Sequence, residues 1–304
     1  MNQPARRNPV ASFFIGLWDV MNFTRRLILN LVFFGLLFLI LIVFIVAMGK
    51  SATSKTSLQD RTTLVIAPEG RLVEQFSADP VSRALGKAVG DKSAEEIQLR
   101  DLIRALEAAK TDKKIERVVL ELDKLQPSGF ASMREVTVAL QELRAAGKQV
   151  VAFSENMSQS QYLLAAQANE VYLDPMGGVV LEGLGRYRQY FRTGLQDKLG
   201  VDVHLFKVGE YKSAAEPYVL DAASPQAKEA DLFWMNDVWQ RYLADIAKAR
   251  KLDPAQLAAG IDTMPEGIAA AGGDLAKFAL QQKLVDGLKT REEVDTLLTE
   301  RGIA

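Results

Sequence analysis

The stretch Gly209-Glu210-Tyr211-Lys212-Ser213-Ala214-Ala215-Glu216-Pro217 holds the residue best suited to chemistry in this 304-residue chain. A lysine just after a strand pattern, flanked by small residues and stopped by proline, is placed to be a buried base. A free lysine titrates near 10.4, so at pH 7 only about one in 2,500 is the neutral amine. Base catalysis needs that pKa lowered by roughly 3 units, about 4 kcal/mol of differential solvation, which an apolar pocket supplies. Tyr211, Ala214, Ala215 and Pro217 are expected to form those surroundings. By residue type alone, the same lysine also reads as an ordinary solvated surface group.

The composition narrows what Lys212 can work with. The absence of cysteine excludes a thiol nucleophile, a thiolate metal site and a disulfide framework. His204 is the single histidine, which excludes a multi-histidine zinc centre and leaves a Ser-His-Asp arrangement only that imidazole. It falls inside the strand pattern Val203 to Val208, where a packed residue is expected. With no phosphate-cradling glycine loop and no metal-ligand constellation in the sequence, neither cofactor nor metal is expected.

Hydroxyls remain. Leu122-Asp123-Lys124-Leu125-Gln126-Pro127-Ser128-Gly129 follows a buried strand pattern and opens a helix. Backbone N–H groups in such a turn face a developing oxyanion well, and Gly129 permits close approach. An ordinary turn with a helix cap fits the same residues. Ser128 and Ser132 are its hydroxyls; neither has an adjacent histidine, so either needs Lys212 folded against it.

Charges nearly cancel, 37 basic against 38 acidic, which gives no push toward nucleic acid. Arg186, Tyr187, Arg188, Tyr190, Phe191 and Arg192 form a basic-aromatic cluster. In an exported protein it reads as an amphipathic helix with a solvated cationic edge, not as a nucleic-acid surface. Trp234 and Trp239 read as core or subunit-contact residues.

The elements that must position these groups alternate. Thr63–Ile66, Val118–Leu122, Val150–Phe153, Val171–Leu173, Val179–Leu181 and Val203–Val208 read as strands. Leu99, Leu102, Ile103, Leu106 and Ala109 share one helix face; Met133, Val136, Leu140 and Leu143 share another, with Gly147 closing that helix. Further helices are expected over about 161–168 and 186–199, and beyond Pro225 the pattern is helical to the end. Repeated strand-helix units predict an α/β domain with a mainly parallel sheet, with the helical tail covering it or mediating assembly.

Upstream, residues 27–48 form an apolar run of about 22 residues, roughly 33 Å as a helix and enough to span a bilayer. Arg6, Arg7, Arg25 and Arg26 precede it, while Lys50, Lys55 and Arg61 follow more sparsely, which keeps the N-terminus cytoplasmic and exports the rest. A cleaved signal peptide is the competing reading, though its apolar core is usually only about 7–15 residues long. The expected organisation is a cytoplasmic segment 1–26, a transmembrane helix 27–48, a polar linker 49–61 and a domain 62–304. Phe13 to Phe23 reads equally as an interfacial aromatic segment or as a merely sticky tail.

Taken together, these residues resemble the N-terminal half of the long form of the bacterial signal peptide peptidase A (protease IV) family. The resemblance runs over nearly the whole chain. It rests chiefly on the Gly209–Pro217 lysine motif, then on Ser154-Glu155-Asn156-Met157-Ser158-Gln159-Ser160-Gln161-Tyr162, and more weakly on Trp234 and Trp239-Gln240. It implies a Clp protease/crotonase-like fold behind one transmembrane helix, and a Ser/Lys dyad in which Lys212 is the general base. It also implies signal peptides and other membrane-associated peptides as substrates, a homo-oligomer, and a periplasmic domain on the bacterial inner membrane.

The serine does not carry over. The family's nucleophile segment resembles Ser-Pro-Gly-Gly with a serine on the next helix; here the stretch is Gln126-Pro127-Ser128-Gly129-Phe130-Ala131-Ser132-Met133-Arg134. The nucleophile position then falls on Arg134, whose guanidinium cannot attack a carbonyl. Ser132 is close but lies on a different helical face. The chain also closes, at Arg301-Gly302-Ile303-Ala304, about where the resemblance expects a first half to end. The expectation is a half-site, inactive without a serine-bearing second half or homologous subunit. A non-catalytic membrane scaffold or regulatory subunit is the alternative, and a crotonase-type acyl-CoA enzyme is a distant third.

Overall fold

The structure is a computed structural model describing residues 9–51, 58–90 and 95–302. Arg6, Arg7, Lys55, the middle of the expected linker (52–57), Ile303 and Ala304 lie outside the described residues. The chain divides between Leu58 and Gln59 into two compact units.

The first unit contains helix α1, Pro9–Ser51, 43 residues long. Its stretch Ser12–Ile45 has a mean hydropathy of 3.1 over its most apolar window, long and apolar enough to cross a membrane. The aromatic segment Phe13 to Phe23 continues this helix without a break. At about 1.5 Å per residue, 43 residues exceed what a bilayer core of about 30 Å requires.

The second unit is built on a five-stranded sheet in the order β1 (Thr62–Ile66), β4 (Ile115–Glu121), β6 (Gln149–Ser154), β7 (Glu170–Leu173), β8 (Gly287–Leu288), parallel throughout. Parallel strands need crossovers, and the helices α3 (Leu99–Thr111), α4 (Phe130–Ala145) and α5 (Gln159–Ala165) supply them. Alternation sends Val118, Leu120, Val150, Ala152, Val171 and Leu173 into the main core with the inner faces of α3 and α4. The opposite parity, Val119, Val151, Phe153 and Tyr172, packs under helix α11 (Arg291–Glu300) through Val294 and Leu298. Burial on both faces explains why these strands read as unbroken apolar runs. Arg117, fully buried on that second face, donates to Gln149 Oε1 at 3.0 Å and to the Leu298 carbonyl at 3.0 Å, tying α11 to the sheet.

A second, three-stranded parallel sheet has the order β3 (Glu96–Gln98), β2 (Gly70–Val73), β5 (Leu125–Gln126). Between β2 and β3 lies α2, Pro80–Ala88, capped by Asp79, which accepts from the Val81 and Ser82 N–H groups. The C-terminal part is mostly helical: α6 (Glu216–Val219), α7 (Pro225–Arg250), α8 (Pro254–Asp262), α9 (Met264–Ala270), α10 (Leu275–Gln281) and α11. It also returns β8 to the sheet beside β7.

Three expected elements differ. Val179–Leu181 is not a strand; only Val179 bridges, to Met157. Gly177 allows that return because a Cβ there meets the Glu155 carbonyl oxygen at 1.8 Å. The helix expected over 186–199 reduces to one wide turn, Thr193–Lys198. The strand expected over Val203–Val208 has no pairing partner among the described residues, and His204 within it is exposed rather than packed.

Candidate active-site region

The turn that precedes α4 is held by side chains from three directions. Ser128 Oγ accepts the Leu72 N–H at 2.8 Å and donates to the Gln126 carbonyl at 3.0 Å, joining β2 to the turn. Gln161 Nε2 donates to the Leu122 and Leu125 carbonyls at 2.7 and 3.0 Å. Gln161 Oε1 accepts the Ser158 N–H at 2.7 Å, completing a capping box at the start of α5. Asp123 accepts from Ser154 Oγ, the Glu155 N–H and Arg291, which fixes the ends of β4 and β6 together. Ser154–Tyr162 therefore acts as a clamp on the Gln126–Gly129 turn.

Beside the turn opens a cavity of about 280 Å³. Ser128, Phe130 and Met133 form one wall, Gln159, Ser160 and Leu163 of α5 a second, and Trp234, Val238, Trp239 and Tyr242 of α7 a third, with Leu184 at the edge. Trp239 stacks on Tyr242 with ring centroids 5.1 Å apart. The Tyr242 hydroxyl donates to the Gln159 carbonyl at 2.9 Å, and burial pushes its pKa well above the usual phenol value. The cavity is a largely apolar slot with a few polar groups, the composition suited to an apolar side chain of a ligand.

Arg134 does not point a free guanidinium anywhere. Its Nε donates to Asp245 Oδ2 at 2.6 Å and its Nη2 to Asp245 Oδ1 at 3.3 Å, a two-pronged pair linking α4 to α7. Ser132 is half-buried on the first turn of α4, and its Oγ makes no hydrogen bond among the described residues. The cavity gathers Ser128, Trp234 and Trp239; Lys212 and Ser132 are not among its lining residues.

Lys212 sits on a loop anchored at several points. Gly209, at φ +101°, makes the turn that only glycine enters freely, and the Lys212 side chain folds back over it. The Tyr211 hydroxyl donates to Glu229 Oε2 at 3.1 Å, and Arg188 Nη1 donates to the Ser213 carbonyl at 2.9 Å. Glu216 is buried and accepts Ser224 Oγ–H at 2.6 Å and Ser224 N–H at 3.2 Å. Burial raises that carboxyl's pKa, but the two Ser224 hydrogen bonds outweigh it and hold it below the ordinary value.

Within this single chain Lys212 itself is exposed, and so are Tyr211 and Ala214. Of the surroundings expected to bury the amine, only Pro217 is buried. The Arg186–Arg192 cluster is irregular rather than helical until Arg192 enters the Thr193–Lys198 turn, with Arg186 paired to Asp231 and Arg192 to Asp221. Trp234 is half-exposed and Trp239 packs against the core. Sequence reasoning missed Asp245 as the partner of Arg134 and Gln161 as the clamp on the turn. A capping-box spacing, Ser158 to Gln161, was the available signal for the second.

Comparison with known proteins gives these residues a setting. The family model described as "Peptidase family S49" matches residues 142–302. Protease 4 of Salmonella typhi is 39% identical over 295 residues, covering 96% of this chain and 47% of that protein. Protease 4 of Haemophilus influenzae is 31% identical over 285 residues, covering 93% of this chain and 46% of that protein. The chain thus spans about half the length of these curated relatives. Among solved structures, the 1510-N membrane-bound stomatin-specific protease is similar over 80% of this chain and 86% of its own, at a TM-score of 0.42 and 11% identity.

Proposed function

This chain belongs to peptidase family S49, and from that membership we propose that it is the lysine-bearing, membrane-anchored half of a serine peptidase that degrades cleaved signal peptides. In this reading Lys212 takes the proton of a serine hydroxyl supplied by a second half or a homologous subunit. It returns that proton to the leaving amine as the peptide bond breaks. N–H groups beside that serine hold the oxyanion. The 280 Å³ cavity accepts an apolar side chain, as a signal peptide offers. Helix α1 anchors the chain in the bacterial inner membrane, with Arg25 and Arg26 on the cytoplasmic side and residues 62–304 in the periplasm, in a homo-oligomeric assembly.

The observation that carries the reading is the Arg134–Asp245 pair. The position that the resemblance assigns to the nucleophile holds a guanidinium already committed to a carboxylate on α7, which supports a serine supplied from elsewhere. Lys212 is exposed on an anchored loop, where a partner is able to cover it and withdraw the amine from water.

The second reading, a non-catalytic scaffold or regulatory subunit of the same fold, draws on the same ion pair and the same exposure. Hydrolysis of a fluorogenic peptide by the detergent-solubilised chain separates the possibilities. The proposal expects none from the chain alone and Lys212-dependent hydrolysis once a serine-bearing half is added. Lys212-dependent hydrolysis by the chain alone would place the nucleophile in this chain, at Ser132 or Ser128. No hydrolysis in either case leaves the scaffold.

A further inference from the structure

Seven consecutive residues, 202–208, make no hydrogen bond through any backbone N–H or C=O within the described residues. They are not a polar loop. Val201, Val203 and Leu205 alternate with Asp202 and His204, and Phe206 and Val208 follow at 95% and 85% exposure. An apolar, β-branched run with an unused ladder is an edge on which another strand adds.

The surface continues from this edge. Tyr211, three residues past the segment, donates to Glu229, which ties its C-terminal end to the first turns of α7. There Leu232, Phe233 and Trp234 are all exposed, Phe233 at 83%. Monomeric proteins seldom leave so much contiguous apolar surface in water.

We infer that residues 202–208 are a docking edge for a strand of the serine-bearing half, which covers the Leu232–Trp234 face of α7 as it pairs. The inference rests on the proposed role of Lys212. Three features select this occupant over a substrate peptide. The curated relatives contain about as much polypeptide again as this chain covers, 47% and 46% of their lengths being matched. A lone peptide pairing with the edge leaves the α7 face bare, whereas a folded half covers both. Gly209 also turns the chain directly from the edge to Lys212, so a strand paired at 202–208 brings its own domain against the lysine.

The probe is the part of Salmonella typhi Protease 4 that this chain does not match, added to the full chain in detergent. Amide exchange over 202–208 is expected to be fast in the chain alone and at least about tenfold slower with that half bound. Two variants read the geometry. Successive N–H groups of a strand point to opposite edges, so of Val203→Pro and His204→Pro one abolishes capture of the half and the other retains it. Neither N–H is bonded in the chain alone, so both variants keep the fold.

Failure to capture the half, or capture and hydrolysis with 202–208 still exchanging fast, overturns the inference; the second result leaves the dyad standing. Protection of 202–208 by the chain's own concentration or by a short peptide instead assigns the edge to a second copy or to substrate, and also overturns it. Capture with slow exchange but hydrolysis unaffected by Lys212→Ala supports the edge and sinks the dyad.

Discussion

Replacing Gln161 by leucine is expected to destabilise the domain far more than its place on a short helix suggests. The side chain is nearly fully buried and serves two structures at once. Its amide nitrogen donates to the Leu122 and Leu125 carbonyls, and its oxygen accepts the Ser158 N–H. Leu122's carbonyl keeps a second donor, the Leu125 N–H at 3.0 Å, so it is not orphaned. Losing the bond to a buried carbonyl costs about 1–3 kcal/mol, and losing the cap contributes about 1 more. The expected total is about 2–4 kcal/mol. Read by urea unfolding of the solubilised chain, with a slope of about 2–3 kcal/mol/M, the midpoint falls by about 0.7–2 M. Gln161→Glu keeps the acceptor and loses the amide donor, so it fares no better at neutral pH. A loss below about 1 kcal/mol for Gln161→Leu would refute the claim that this residue clamps the turn.

Three further outcomes follow from the same contacts. The Arg134–Asp245 pair is partly solvated, so a double-mutant cycle with Arg134→Ala and Asp245→Ala should give a coupling of only about 0.5–1.5 kcal/mol, and a value near zero would mean the pair is not formed in solution. Glu170 sits below its usual pKa: burial raises it, but the hydrogen bonds from Arg301 and Tyr172 outweigh that. A carboxyl depressed on folding stabilises above its unfolded pKa. The advantage of the native chain over Glu170→Gln should therefore hold at neutral pH and shrink as pH falls below about 4.5, with a pH-independent difference contradicting it. The full chain should stay with membranes through an alkaline carbonate wash, and its release would argue against α1 as an anchor.

What was legible in the sequence follows from where burial is two-sided or one-sided within the chain itself. β4 and β6 are buried on both faces and α3 and α4 on one, so the periodicity of Val118–Leu122 or of Met133–Leu143 states the structure directly. The same kind of signal at Val203–Val208 predicts a strand that is not formed, because a strand is completed by its neighbour and none of the described residues lies there to pair with it. The second sheet was missed because β2, β3 and β5 are 4, 3 and 2 residues long, too short for any period to register. Arg134 was singled out by motif alignment, yet its meaning depends on Asp245, 111 positions away, which no local pattern reveals. The sequence neighbours of Lys212 predict its burial, yet in the structure Lys212, Tyr211 and Ala214 are exposed, because small and aromatic residue types do not by themselves fix which side of a loop faces the core.

Peptide hydrolysis by this chain combined with a serine-bearing half, with Lys212→Ala in parallel, tests the central claim most directly. Lys212 is exposed, so the substitution is expected to leave stability within about 0.5 kcal/mol. The account predicts hydrolysis by the combined halves that disappears in Lys212→Ala while that variant remains folded. Hydrolysis that persists in the folded variant would contradict it.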